Sequence, residues 1–338
     1  MEATLRWSLI VAIAPVAWGS TYFVTREFLP PDAPLWGAVI RALPAGLLLL
    51  AIRRELPTGA WWWRSIVLGA LNMGAFFALV YVAAQLLPTS IASTIMATSP
   101  IVMMGFAWLL VSERLRALSL AGGVIGLIGV VLMLVTGAAS VDVWGVVASV
   151  AAMAMSSLGY ILAKRWGGGV DVLSLASWQL IAGGAMLVPA AFLWEGGPPV
   201  LDGRAVLAFA YVSIVATALA FVAWFSGLRH LDAGTVGLIG LLNPVTGVLL
   251  GVFIAGEALA PQQLVGLALV FAGILMGQPL MGRAFATWRS RRRRRAGLGG
   301  SAPDAESGRT ASQLVVKRRL VGHEPHLVAA VRLPDEIA

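Results

Sequence analysis

Long runs of apolar residues dominate this chain, and most of them approach the roughly 20 residues that an α-helix needs to cross the hydrocarbon core of a membrane. Hydrophobic residues make up 59% of the chain and charged residues 12%, whereas soluble domains average about 45–50% and about 25%. A soluble fold would have too little interior to bury this much apolar surface. We therefore predict an all-α polytopic membrane protein, in contact with the lipid bilayer, with ten spans at 7–28, 35–52, 65–87, 89–111, 118–136, 143–163, 172–194, 204–228, 233–256 and 262–281.

The basic residues follow the pattern of a membrane topology. Twelve of the 24 Lys and Arg residues lie beyond residue 281. Of the other twelve, nine fall in loops on one side of the membrane, and only Arg26 and Arg204 fall in loops on the opposite side. Because basic loops stay in the cytoplasm, both termini are predicted to be cytoplasmic. A nucleic-acid-binding face would gather its charges on one surface, so the net charge of +8 does not indicate a nucleic-acid partner.

The chain offers little material for metal, redox or nucleophilic chemistry. It has no cysteine, and of its three histidines only His230 precedes the C-terminal tail. No Asp or Glu falls in the middle of a predicted span, so a buried carboxylate relay for protons has no candidate residue. We therefore predict no cofactor, no bound metal and no enzymatic activity. The alternatives from other classes are an intramembrane enzyme, and a membrane scaffold or channel.

The two ends of the chain differ in character. The first apolar run lacks a short apolar core followed by a small-residue cleavage site, so it is expected to remain as the first helix. Residues 282–338 contain few apolar residues and are predicted to form a disordered, basic cytoplasmic tail. Two interpretations of its arginine run stay open, a solvated stop-transfer segment or a contact with anionic lipid headgroups. The run consists of Arg291, Arg292, Arg293, Arg294 and Arg295.

An internal repeat is the most specific pattern in the sequence. In each half a proline precedes a glutamate by 13 residues: Pro100 and Glu113, then Pro244 and Glu257. The same offset of 144 relates two pairs of glycines, Gly122 with Gly266 and Gly129 with Gly273. Earlier in each half an offset of 138 relates Tyr22 with Tyr160, Arg41 with Gln179, and Gly46 with Gly184. The sequence therefore predicts two copies of a five-helix unit, at 1–137 and 143–281.

The odd number of spans in each copy decides how the copies are oriented. The second copy must enter the membrane from the opposite side, so the two repeats are inverted. Inverted repeats are typical of transporters, because two similar halves can exchange conformations and open a central site to alternate sides. This inference is made by analogy at the level of the fold class.

A proline interrupts the fourth and the ninth span near the middle of the membrane. Pro100 and Pro244 lack the backbone donor that a helix needs, so carbonyls four residues earlier must be satisfied by protein, water or a ligand. Ser99 and Asn243 add polar side chains at the same depth. A matched pair of interrupted helices is typical of a transport site, although each proline could also serve only to shape helix packing.

Glu113 and Glu257 end the interrupted spans at the membrane interface. One interpretation is a general acid or coupling role, and the other, which we favour, is a bond to the orphan backbone donors at the start of the next helix. The glycines at spacings of seven predict close packing of the fifth and tenth spans.

These features resemble the EamA-type members of the drug/metabolite transporter superfamily, which are carriers with ten helices in two EamA repeats. The resemblance covers residues 8–281 and rests on Trp18-Gly19-Ser20, Arg41, Pro100…Ser112-Glu113-Arg114-Leu115…Gly122…Gly129 and Pro244…Gly256-Glu257-Ala258-Leu259…Gly266…Gly273. The sequence departs from the family pattern at Ser112, where glycine commonly precedes the glutamate, and in its long basic tail. The resemblance implies a bacterial inner-membrane carrier that works by alternating access, often as an exporter of amino acids or related metabolites.

The resemblance also implies a central cavity lined by helices one to four and six to nine, and these helices carry our candidate substrate-binding residues. Aromatic faces with a few amides suit an amphipathic small molecule, although core packing would also explain each aromatic side chain. The candidates are Trp18, Tyr22, Arg41, Asn72, Tyr81, Ser99, Tyr160, Gln179, Trp224 and Asn243.

Arg41 lies about six residues into the second span, roughly 9 Å below the outer interface. An arginine costs roughly 2.5–3.5 kcal/mol at a helix centre and less near the interface, so its side chain must pair, reach the interface or face a wet cavity. Two interpretations stay open. Glu27 at the outer end of the first span would pair with Arg41, or the guanidinium would attract the carboxylate of an anionic or zwitterionic solute.

Overall fold

The computed structural model describes residues 2–28, 33–87, 89–134, 142–255 and 260–279. The predictions about 280–338, Glu257 and the side chains of Tyr22 and Glu27 lie outside the described residues. Every regular element in the described ranges is helical. The α-helices are α1 (Glu2–Phe28), α2 (Pro34–Arg53), α3 (Trp61–Gly69), α4 (Ala75–Leu86), α5 (Thr89–Met96), α6 (Ser99–Val111), α7 (Ala117–Leu134), α8 (Val143–Trp166), α9 (Val172–Trp194), α10 (Gly203–Ser213), α11 (Ala220–His230), α12 (Ala233–Gly240), α13 (Leu242–Ala255) and α14 (Pro261–Met276).

These helices form ten spans, which confirms the predicted fold class. Within the described ranges, nine helical stretches are long and apolar enough to cross a membrane, and α14 is a shorter apolar helix of 16 residues. Spans one, two, five, six, seven and ten are each one α-helix. Span three joins α3 to α4 and span four joins α5 to α6, while span eight joins α10 to α11 and span nine joins α12 to α13.

The four interrupted spans occupy matching places in the two halves of the chain. A π-helical turn at Ala70–Gly74 lies inside span three, and another at Ile214–Leu219 lies inside span eight, beginning 144 positions later. The break in span four falls at residues 97–98, and the break in span nine falls at Leu241. Spans four and nine therefore restart just before Pro100 and Pro244, because a proline is tolerated in the first turn of a helix but not in its interior.

Polar residues at the helix ends explain where several spans start. The carboxylates of Asp142, Asp171 and Asp202 accept hydrogen bonds of 2.7–3.0 Å from backbone N–H groups in the first turns of α8, α9 and α10. Two spans end in a residue with left-handed backbone geometry, Arg54 with φ +58° and Ser112 with φ +56°. This geometry favours glycine, so a glycine at the position of Ser112 would adopt it with less strain.

The spans pack in pairs that follow a two-fold pattern between the repeats. The second span packs against the seventh as α2 on α9, and the fifth against the tenth as α7 on α14. Span one packs against spans eight and nine through α11 and α13, and span six packs against spans three and four through α4 and α6. Each repeat therefore packs against one face of the first helix of the other, while the opposite face stays exposed, as at Leu9 on α1 (63%) and Val147 on α8 (51%).

Glycines set the closest of these contacts. A Cβ atom at Gly122 would lie 2.5 Å from the carbonyl oxygen of Gly273, and one at Gly129 would lie 2.5 Å from the carbonyl oxygen of Gly266. Any larger side chain would push α7 and α14 apart. The prediction that these glycines allow close helix packing is therefore confirmed, and the structure adds that the fifth and tenth spans are each other's partners.

Candidate functional site

Aromatic side chains from α1, α8 and α11 meet where the two repeats pack together. The ring of Trp18 on α1 lies 5.2 Å from that of Trp224 and 5.4 Å from that of Phe221, both on α11. The ring of Tyr160 on α8 lies 5.4 Å from that of Trp224. Trp18 and Tyr160 are partly exposed. These four residues are called the aromatic cluster below. Trp18 comes from the first repeat and the other three from the second, so the cluster lies at the interface of the repeats.

Trp224 carries a polar atom whose hydrogen-bonding capacity the protein leaves unused. Its side chain is only 3% exposed, and its indole Nε1 has no hydrogen-bond partner among the described residues. A buried indole N–H usually finds an acceptor. The aromatic cluster therefore contains one free donor that an acceptor on a bound solute, or a water molecule, would satisfy.

A polar contact also joins α1 to span eight. The hydroxyl oxygens of Ser20 on α1 and Tyr211 on α10 are 2.6 Å apart, so one hydroxyl donates to the other. Ser20 also donates to the carbonyl oxygen of Ala17 at 2.8 Å. The contact with Tyr211 ties the first span to α10, the first half of the eighth span.

Arg41 on α2 reaches the π-helical turn of span eight. Its Nε donates to the hydroxyl oxygen of Thr217 at 3.1 Å, and its Nη2 donates to the carbonyl oxygen of Ala216 at 3.3 Å. Its guanidinium carbon lies 5.2 Å from the ring centre of Phe77. Thr217 lies four residues before Phe221 in span eight, so Arg41 binds this span about one helical turn from the aromatic cluster. The proposed pairing with Glu27 involves a side chain outside the described set, so it stays a prediction.

Asn72 and Gln179 bind each other instead of lining an accessible cavity. The Nδ2 of Asn72 donates to the Oε1 of Gln179 at 2.8 Å, and the Nε2 of Gln179 donates to the carbonyl oxygen of Leu175 at 3.1 Å. The two side chains are 1% and 0% exposed. In this conformation both candidates therefore stabilise the packing of α9 on the π-helical turn of span three.

The remaining candidates are placed less centrally. Ser99 and Asn243 are partly exposed beside the two breaks, and the backbone of Asn243 lies against Gly19 of α1. Tyr81 is 36% exposed and makes no ring contact with the aromatic cluster. The side chain of Tyr22 lies outside the described residues.

Glu113 binds a different helix from the one that the sequence predicts. Its Oε2 accepts a 2.9 Å hydrogen bond from the backbone N–H of Ala233, which begins α12 in the other repeat, and not from the start of α7. Its Oε1 lies 2.5 Å from the Nζ of Lys164 at the end of α8, and this Nζ also donates to the carbonyl oxygen of Leu231 at 2.7 Å. The prediction was wrong about the partner. Because α12 packs against α6, the first backbone N–H of α12 lies beside Glu113. Glu113, Lys164, Leu231 and Ala233 are called the clasp below.

Further polar contacts hold the same end of the bundle together. Arg116 pairs with Asp232 at 2.8 Å, and Arg229 donates to the carbonyl oxygens of Gly167 and Val170. The rings of Trp7 and His230 stack with their centres 3.6 Å apart. This end carries most of the basic residues. It is closed by contacts between the two repeats.

Among the described residues, the equivalent helix contacts at the opposite end of the bundle are sparse or missing. At the basic end, α12 packs against α6 and α7, and α11 packs against α8. The counterparts under the repeat would be α5 against α13 and α14, and α4 against α1, and these make at most sparse contact among the described residues. Consistent with this, a Cβ atom at Gly247 of α13 would meet nothing within 4 Å. Within the described ranges, the helices are therefore packed more tightly at the basic end than at the other.

Several of these residues were missed by the reasoning from sequence. The offset of 144 relates Asn72 to Ala216 and Met73 to Thr217. Applying this offset to Asn72 and its neighbour would have found both contacts of Arg41. Phe221 lies three residues before Trp224, which places both on one helix face. Lys164 and the other clasp members have no such signal, because their contacts depend on how the repeats pack.

Comparison with known proteins identifies a family. The model of the EamA-like transporter family matches residues 5–135 and again residues 143–276. The chain is 36% identical over 269 residues to protein PecM of Dickeya dadantii, which covers 79% of this chain and 90% of PecM. It is 28% identical to the uncharacterized inner membrane transporter YedA of Escherichia coli K12, over 77% of this chain and 87% of YedA. A solved crystal structure with 23% identity superposes with a TM-score of 0.71, over 83% of this chain and 98% of that one, which supports the fold.

Proposed function

Because this chain belongs to the EamA-like transporter family, we propose that it carries a small organic metabolite across the bacterial inner membrane by alternating access. The observation that carries the proposal is the aromatic cluster at the junction of the two repeats, in a bundle whose two ends are packed unequally. An enzyme would need a reactive set of side chains at depth, whereas the aromatic cluster offers ring faces, one indole N–H and one phenol hydroxyl, with Arg41 nearby.

The aromatic cluster supplies the binding energy in this proposal. Trp18, Tyr160 and Trp224 present indole and phenol faces to an apolar part of the solute, and the free Nε1 of Trp224 donates to an acceptor on it. Arg41 contributes a positive charge near the same place. A solute with an apolar body and a carboxylate, such as an amino acid or a related metabolite, matches these groups.

The unequal packing of the two ends supports alternating access. The clasp and its neighbours hold the basic end closed, while α5 and α13 stand apart at the other end. The repeat supplies a second arrangement of similar energy, in which α5 packs against α13 and α12 separates from α6. Solute binding at the centre would bias the exchange between these arrangements. By the distribution of basic residues, the closed end faces the cytoplasm.

Transport by purified protein tests this proposal. The full chain is reconstituted in liposomes, and counterflow is measured for each radiolabelled standard amino acid, with protein-free liposomes as the blank. We expect uptake of at least one amino acid above the blank. If none is moved, amino acids are excluded as the solute class.

Two tryptophan variants locate the site. Trp224→Leu removes the free donor and a wall of the aromatic cluster, whereas Trp108→Leu removes a tryptophan that is 58% exposed on α6. We expect a large loss of transport for the first variant and wild-type transport for the second, with thermal stability measured in parallel. Equal transport by the two variants at equal stability would exclude the aromatic cluster as the site.

A further inference from the structure

Arg64, in the first turn of α3, lies between three tryptophans. Its guanidinium carbon is 5.5 Å from the ring centre of Trp61, 5.6 Å from that of Trp63 and 5.6 Å from that of Trp166. The rings of Trp63 and Trp166 meet edge to face at 5.3 Å, which joins α3 to the end of α8. Arg64, Trp61, Trp63 and Trp166 are called the tryptophan cage below.

The cage fixes a positive charge and gives it no counter-ion. The Nε of Arg64 is buried without a hydrogen-bond partner, and no described carboxylate or carbonyl oxygen binds the guanidinium. Nearby cations at the same end are paired, Arg53 with Glu55 at 2.9 Å and Lys164 with Glu113. Indole faces stabilise a cation, but they accept none of its in-plane N–H donors. The Nη groups of Arg64, and not its buried Nε, are therefore the donors that an external anion would meet.

The surroundings of the cage are those of a membrane interface. Trp62 and Trp63 are 58% and 50% exposed at the start of a membrane span. Tryptophan prefers the level of the lipid headgroups, where its ring contacts acyl chains while its N–H stays hydrated. A guanidinium at this depth meets phosphates, which accept its planar fork of donors in a bidentate manner.

From this arrangement we propose that the tryptophan cage is a binding site for one anionic phospholipid of the leaflet at the basic end of the bundle. The lipid phosphate accepts hydrogen bonds from Arg64, and the exposed faces of Trp62 and Trp63 pack against its glycerol and acyl groups. This site is separate from the aromatic cluster and from the arginine run of the tail. A bound lipid would bridge α3 and α8, which belong to different repeats.

Native mass spectrometry of the detergent-purified full chain tests the proposal, with phosphatidylglycerol and phosphatidylcholine as the probes. We expect one phosphatidylglycerol to be retained about fivefold more strongly than phosphatidylcholine, because both lipids offer a phosphate but only phosphatidylglycerol carries a net negative charge to balance Arg64. Arg64→Gln should abolish this preference. Arg165→Gln removes an exposed arginine next to Trp166 and should leave the preference unchanged.

Three outcomes would overturn the proposal: an unchanged preference in Arg64→Gln, an equal loss in Arg165→Gln, or full competition by inorganic phosphate at constant ionic strength. If Arg64→Gln fails to fold, Trp63→Leu replaces it, because a half-exposed tryptophan can be removed at small cost to packing. That variant keeps the charge and opens the cage, and we expect it to weaken phosphatidylglycerol retention severalfold. Wild-type retention by Trp63→Leu would then reject the site.

Discussion

Asn72 donates a hydrogen bond to Gln179 across the interface of the two repeats, and Arg41 donates one to Thr217 at the equivalent place. Arg41 and Gln179 are separated by the repeat offset of 138, and both bind the π-helical turn in the third helix of the opposite repeat. The two bonds are therefore two versions of one contact. In one copy the contact is neutral and buried, and in the other it carries a charge beside the aromatic cluster.

The neutral version is expected to serve stability. Asn72→Leu removes the donor and leaves a buried amide oxygen of Gln179 unpaired, which should lower thermal stability by about 1–2 kcal/mol. Gln179→Leu should do the same, while the double variant should lose less than the sum. Denaturation of the purified variants measures the coupling, which we expect at roughly 0.6–1.7 kcal/mol. Additive losses would show that the bond contributes nothing.

The charged version is expected to serve transport. Arg41→Gln installs the side chain that the other repeat already uses, so the variant should keep a hydrogen bond to Thr217 and insert normally. If the guanidinium meets the carboxylate of the solute, transport should fall by about tenfold or more. Counterflow with an amino acid that the wild type carries measures the effect. Full transport at normal expression would remove Arg41 from the site.

A disulfide at the basic end should stop the transport cycle. A Cβ atom at Gly234 would lie 2.8 Å from the Cγ of Met104, so Met104→Cys with Gly234→Cys brings two thiols within bonding range. The chain has no cysteine of its own, which makes the background clean. We expect oxidation to abolish counterflow and reduction to restore it, whereas each single variant stays active under both conditions.

The same repeat predicts a contact that forms only in the alternate conformation. Gly237 on α12 adjoins Pro100 and Met103 on α6. The repeat relates Gly237 to Ser93 on α5 and Met103 to Gly247 on α13, two helices that make little contact. Cysteines at Ser93 and Gly247 should cross-link much faster during turnover with solute than without it. A rate that ignores solute would contradict the proposed exchange.

Ser112 offers a stabilising substitution. Its φ of +56° costs a non-glycine residue about 1 kcal/mol, so Ser112→Gly should raise thermal stability by about that amount. Ser226→Gly, inside α11, provides the matched control and should lower stability, because a glycine there loses helix propensity. Thermal unfolding of both variants in detergent decides the matter. A loss of stability in Ser112→Gly would contradict the assigned strain.

The topology is tested at the tail. Because residues 282–338 follow an even number of spans and carry twelve basic residues, they should be cytoplasmic. A cysteine at Ser301 should resist an impermeant thiol reagent in intact cells and react once the membrane is permeabilised. Ready labelling of this cysteine in intact cells would show that the assigned orientation is wrong.

The architecture could be predicted because the membrane imposes it on the sequence. Apolar runs, basic loops and the spacing from Pro100 to Glu113 each follow from the cost of exposing polar groups to lipid, and they locate the ten spans and the repeat. The π-helical turns could not be predicted, since the apolar segments that contain them read as ordinary helix. The partner of Glu113 was missed for another reason: a carboxylate at a helix end binds whichever donor the tertiary packing brings near it.

The glycine contacts between α7 and α14 have a mechanical consequence. They join backbone to backbone without intervening side chains, so neither helix can slide along the other without a steric collision. In the proposed transport cycle, the fifth and tenth spans would therefore stay together while the four interrupted spans move. A bulky residue at Gly129 or Gly266 would leave the aromatic cluster intact and would separate α7 from α14.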